Sequence, residues 1–156
     1  MPPRVLAGFA AAVAAVAAAT AIFFAVVRAR DERAARVAEA SETLVALQHL
    51  EGLLWQAESG QRGYLLTHDP RYLAPHERAA SELRAAVQRI EGLLGPAHRS
   101  EAARLSALVE ARLGEMRRGI VARDERGLRE ALRGLEGNEG VRLTERIAAL
   151  AAEIET

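Results

Sequence analysis

The chain has 156 residues, room for one ordinary domain plus an anchor. Half of the residues are apolar but only 4% are aromatic, and 21 basic residues, all arginine, balance 21 acidic ones. That balance gives no ground for a nucleic-acid partner, and the absence of cysteine excludes disulfides and thiolate metal sites. Ala, Leu, Arg and Glu dominate, all good helix formers, so the expected fold class is all-α.

In chain order the first element is an uncharged run. Val5 to Val27 carries no charge and lies between Arg4 and Arg28. At ~1.5 Å per residue such a helix is roughly 34 Å long, enough for a ~30 Å hydrocarbon core with some tilt. Residues 1–30 are therefore read as a membrane anchor, crossing once within this chain. A cleaved signal peptide ending at Ala19-Thr20-Ala21 is the competing reading. It would leave Ile22-Phe23-Phe24-Ala25-Val26-Val27 as an apolar tail in water, so the retained anchor is preferred.

Residues 31–156 read as an elongated antiparallel four-helix bundle, because four apolar stripes are joined by short turns. The first helix, about 31–66, repeats Leu47, Leu50, Leu54 and Ala57 at helical spacing, with Leu44 and Val37 extending the stripe and Trp55 expected to pack at its edge. Asp69-Pro70 restarts the chain as an N-cap followed by a first-turn proline, opening a helix over about 70–94. Its stripe is Ala80, Leu83, Val87, Ile90 and Leu94, and Gly95-Pro96 stops it. A third helix, about 97–123, carries Leu105, Leu108, Val109, Leu113, Met116 and Ile120. Asp124 is expected to cap a short helix over about 125–135 with Leu128, Leu132 and Leu135 on its stripe. After a break at Gly137-Asn138, the last helix, about 138–156, shows Leu143, Ile147, Leu150 and Ile154.

Four histidines occur, His49, His68, His76 and His98, none three or four residues from another, so no metal site is expected. His76-Glu77-Arg78 superficially resembles a histidine-kinase phosphoacceptor box but reads better as surface helix. No catalytic residue, cofactor or enzymatic activity is expected.

The least ordinary stretch is the corner between the first two helices: Glu58, Gly60, Gln61, Arg62, Gly63, Tyr64, Leu65, Leu66, Thr67, Asp69, Tyr72, Leu73 and Pro75. Glu58 and Arg62, one turn apart, can pair on the helix surface. Gly60 and Gly63 each cost roughly 1 kcal/mol of helix relative to Ala unless they permit close helix approach. Tyr64 and Tyr72 are expected to pack across the turn with their hydroxyls outward. The residue types favour packing and capping over ligand binding.

This stretch resembles the third class of CHASE domains, sensor modules of bacterial histidine kinases, nucleotide cyclases and chemoreceptors. The chain departs from the family pattern at Ser59, His68 and His76, where Thr, Gly and Tyr are usual. His68 places a bulky ring where a positive φ costs more than it does for glycine. The likeness covers about residues 31–156, with a weaker match around Gly140-Val141-Arg142-Leu143 and Arg146-Ile147. It implies an extracytoplasmic sensory module of a membrane receptor in the bacterial inner membrane. The bundle would be periplasmic or extracellular, dimerising through bundle and anchor, with no output domain in this chain and an unknown ligand. The local charge bias, Arg28, Arg30, Arg33 and Arg36 against Arg4, points the other way on orientation. The alternative from another class is a membrane-anchored helical scaffold that binds a partner and senses nothing.

Overall fold

The computed structural model describes the backbone of residues 3–154 and the side chains of residues 18, 20–28, 30, 40–134 and 136–154. Every element in it is helical. Helix α1 spans Pro3–Thr67, α2 Leu73–Leu94, α3 Arg99–Arg126, α4 Leu128–Glu136 and α5 Glu139–Ile154. Short 3-10 turns at Pro70–Tyr72 and Pro96–His98 precede α2 and α3.

The chain divides into two units, Met1–Ala40 and Ser41–Thr156. In the first, the Phe23 and Phe24 rings meet edge to face at 6.1 Å. The anchor expected over residues 1–30 falls largely on side chains outside the described residues. Among the described residues no helix is long and apolar enough to cross a membrane.

The second unit is a helical bundle around one continuous apolar core. Leu47, Leu50, Leu54 and Ala57 of α1 meet Leu83, Val87 and Ile90 of α2, Leu105, Val109, Leu113 and Met116 of α3, and Leu143, Ile147 and Leu150 of α5. A fully buried leucine or isoleucine contributes roughly 1.5–3 kcal/mol relative to exposure, so these stripes carry most of the driving force. Ion pairs between neighbouring helices fix the directions. Arg84 of α2 pairs with Glu110 of α3 at 2.7 Å. Along α3, Arg118 pairs with Glu139 and Arg104 with Glu153, so each step forward on α3 is a step back on α5. Leu65, Ala122 and Ala131 form a second small cluster, which sets α4 beside the end of α3. The bundle thus has two distinct ends. The Thr67–Leu73 corner lies at one, with the last turns of α3. Residues near Ser41, the end of α2, the start of α3 and the end of α5 gather at the other.

Each turn has a local cause. Asp69 caps the 3-10 turn by accepting the Arg71 N–H at 2.9 Å, with Pro70 supplying the first helical φ, so α2 proper starts at Leu73. Gly95, at φ 67°, ends α2 and donates its N–H to the Glu91 carbonyl. Asn138, at φ 53°, separates α4 from α5.

Several expectations need correction. Asp124 caps nothing: α3 runs through it to Arg126 and stops at Gly127, whose φ of 82° a side chain would strain. Trp55 is 64% exposed and Leu44 also faces solvent, because the core-facing arc of α1 is completed by Ala46 and Leu53. Leu128 and Leu132 are exposed while Ala131 is buried, since α4 touches the bundle through its small residue.

A buried polar layer beneath the helix corner

The α1 stripe does not stop at Ala57. Glu58 and Gln61 occupy the next core-facing positions before Leu65 resumes the apolar run, and both are buried. Arg112 and Glu115 do the same on α3, between Val109 and Met116. These four polar residues and Thr144 of α5 form a layer across the bundle.

Glu58 is its hub, 4% exposed. Its Oε1 accepts from Arg112 Nη2 at 2.7 Å, Arg112 Nε at 3.2 Å and the Thr144 hydroxyl at 2.8 Å. Its Oε2 accepts from Arg62 Nη2 at 3.3 Å. The expected pair of Glu58 and Arg62 forms, but Glu58 is not a surface residue: Arg62 is the exposed rim of a buried ion cluster, and the closer partner of Glu58 is Arg112. Arg112 reaches Glu115 with its third nitrogen, Nη1. One buried cation thus serves two buried carboxylates. Burial raises the Glu115 carboxyl above the ordinary range, against the opposing pull of Arg112 and then Arg118.

Glycines make room for this layer. A Cβ on Gly140 would stand 2.9 Å from Arg112 Nη1, and one on Gly119 would stand 2.8 Å from Gln61 Nε2. Gln61 uses that space to donate to the Met116 carbonyl at 3.2 Å. Gly60 and Gly63 serve the corner instead. A Cβ on Gly60 would lie 2.9 Å from the Tyr72 carbonyl oxygen and 3.1 Å from the His76 nitrogen, so there the two backbones nearly touch. At Gly63 the group a Cβ would meet is the Tyr72 ring.

Two expectations about the corner side chains are also corrected. The Tyr64 ring is buried and its hydroxyl, far from free, donates to Asp124 Oδ1, which also accepts from His68 Nε2 at 3.3 Å. The bond to Asp124 is the first cause raising the Tyr64 phenol above its usual value. The His68 backbone takes φ 56°, and its N–H closes α1 onto the Tyr64 carbonyl at 2.7 Å. His76 is buried, 8% exposed, with Nδ1–H donating to the Ala57 carbonyl at 2.9 Å. It is a tie between α2 and α1 and no surface residue.

The remaining corner residues divide by role. Leu65 fills the second core cluster and Leu66 faces solvent. Thr67 bonds back to the Gly63 carbonyl and accepts the Asp69 N–H. Tyr72 lies across Gly63, and Leu73 and Pro75 are half-buried at the start of α2. The corner brings Gly60 and Gly63 against Tyr72, and Tyr64 against Asp124 and His68; Glu58, Gln61 and Arg62 belong to the layer below. Among the described residues no group of three or more His, Asp or Glu side chains could hold a metal ion. Through Glu58, Arg112 and Thr144 the layer ties α1 to α3 and α5 by hydrogen bonds.

Comparison with known proteins places this geometry. The family model of the CHASE3 domain matches residues 33–156. The crystal structure of the sensor domain of histidine kinase HK9 from Rhodopseudomonas palustris superposes with a TM-score of 0.67 at 27% sequence identity, covering 73% of this chain and 91% of that one. A search of curated proteins finds no match.

Proposed function

This chain belongs to the CHASE3 domain family, and from that premise we propose how it works as the extracytoplasmic sensor module of a membrane signalling receptor. Residues 41–154 act as an antiparallel bundle of four arms, the fourth made of α4 and α5 in succession. The uncharged run Val5 to Val27 anchors the module in the bacterial inner membrane, which its length supports. The bundle lies on the outer side, as the family supports against the arginine bias after residue 27.

The observation that carries the mechanism is the Glu58–Thr144 contact of 2.8 Å inside the buried layer. Residue 41 and the end of α5 lie at the same end of the bundle. A stimulus that rearranges the layer therefore moves one relative to the other, and that displacement is the signal. The module itself does no chemistry. It works as a homodimer, and the exposed α1 face of Val45, Gly52 and Trp55, spaced seven and three residues apart, supports that assembly. The same face also suits a foreign helix, which is the scaffold reading.

A phosphatase reporter fused after Thr156, active only outside the cytoplasm, tests the placement. Activity in cells agrees with the sensor reading, and an inactive but folded reporter refutes it. A Trp55→Cys variant in membranes should crosslink to a second copy of the chain. Crosslinks only to another protein favour the scaffold.

A further inference from the structure

The groove between the first half of α2 and the second half of α3 holds about 330 Å³ and is lined by Leu73, His76, Glu77, Ala80, Arg84, Leu113, Arg117 and Ile120. That is the lower end of the ~300–1,000 Å³ of small-molecule sites. Four of the lining residues are apolar. The polar ones are unequally committed. Arg84 is held by both oxygens of Glu110, at 2.7 and 3.2 Å. His76 has Nδ1–H fixed on the Ala57 carbonyl, so in the neutral ring Nε2 is a hydrogen-bond acceptor with capacity to spare. Arg117, on the opposite wall, makes no ion pair among the described residues, not even with Glu77 across the groove.

We infer that this groove binds a small organic carboxylate that also carries a hydroxyl group. Arg117 would take the carboxylate, a charge-assisted contact. His76 Nε2 and the Glu77 carboxylate, both acceptors, would take the hydroxyl proton, and the apolar body would lie along Leu73, Ala80, Leu113 and Ile120. A second groove, between α3 and α5, is larger at about 410 Å³ but lacks this equipment. Its Arg104 is tied to Glu153, and no buried polar side chain lines it.

The groove also touches the signalling layer from two sides. His76 is bonded to the residue preceding Glu58, and Leu113 follows Arg112 in the chain. As a sensory ligand site the groove rests on the sensor reading; the binding itself is measured without any signalling output.

The test titrates the purified, 15N-labelled 156-residue chain with 4-hydroxybenzoate, benzoate and 4-hydroxybenzamide, each to about 10 mM. Expected are saturable amide shifts of 4-hydroxybenzoate centred on Leu73, His76, Ala80, Leu113 and Arg117. Benzoate, without the hydroxyl, and 4-hydroxybenzamide, without the charge, should each bind about tenfold more weakly. Arg117→Gln, an exposed position that leaves the fold intact, should weaken 4-hydroxybenzoate by a similar factor, and Arg146→Gln in the other groove should not. Unsaturable shifts, shifts centred elsewhere, equal affinity for the three compounds, or full affinity in Arg117→Gln would each overturn the inference. Such a failure leaves the reporter result, and with it the sensor reading, untouched.

Discussion

Replacing Arg112 by methionine tests the buried layer at its single cation. The guanidinium is the donor to Glu58 on one side and Glu115 on the other, and its side chain is 5% exposed. Methionine keeps much of the volume but takes the buried cation from two carboxylates, leaving Glu58 only the exposed Arg62 and the Thr144 hydroxyl. Breaking a buried pair from one side costs about 3–5 kcal/mol. For a unit of this size that is roughly 12–25 °C of melting temperature. The assay is urea unfolding followed by circular dichroism, on the single variant and on Glu58→Gln combined with Arg112→Met. The double variant should recover at least about 1 kcal/mol of the loss, because the stranded charge at the hub is gone. A single-variant loss below about 1 kcal/mol would refute the assignment of these groups as a buried ion cluster, since that is what an exposed pair costs.

Three further outcomes follow from the same geometry. Gly60→Ala should destabilise more than Gly63→Ala, because its new methyl meets backbone atoms at 2.9 and 3.1 Å whereas at Gly63 it meets a half-exposed ring able to swing away. Equal melting temperatures would contradict this. Glu115 is raised in the fold, so its contribution is most favourable below the ordinary carboxylate range, about pH 4.3, and declines as pH climbs through its raised value. Glu115→Gln mimics the protonated form, so the variant should gain on the parent as pH rises above that range; a gap independent of pH would refute the shift. In a Tyr72→Phe background Tyr64 is the sole tyrosine, and its ultraviolet titration should lie above that of a free phenol. It should fall back when Asp124 is changed to Asn.

The division between what could and could not be read in the sequence has a physical basis. The leucine and isoleucine stripes of α2 and α5 emerged from spacing alone, because an apolar residue every three or four positions has one energetic explanation. Gly95-Pro96 and Asp69-Pro70 were equally legible, since cap and stop chemistry is local. The buried layer was not, because counting apolar residues treats a polar side chain on the stripe as a gap. Glu58, Gln61, Arg112 and Glu115 sit on core-facing positions of their helices, but one arginine among many carries no signal of burial. Gly119 and Gly140 stand where a methyl would collide with the layer, but Gly52, Gly92 and Gly134 are helical glycines with open space around them, so glycine alone could not point to it. Trp55 misled in the opposite direction, since size alone suggested burial and the side chain is 64% exposed.

His68 and Asp124 show a similar limit at the corner. A histidine where the family pattern has glycine signalled backbone strain, and the fold does adopt φ 56° there. Its bond to a carboxylate 56 residues away, shared with Tyr64, depends on how far α3 extends, which only the three-dimensional arrangement supplies.

The most direct measurement concerns the link between α1 and α5. Residues 33–156 replace the sensor of a membrane histidine kinase, and autophosphorylation is compared between the parent and Thr144→Val. This change removes the α5 hydroxyl from both Glu58 and Arg112 Nε while conserving volume and leaving the Arg112–Glu58 bonds in place. If the buried layer sets the position of α5, kinase output shifts by about twofold or more while the bundle stays folded, a change well within a ~1 kcal/mol bias of a two-state equilibrium. Unchanged output in a folded variant would contradict the account.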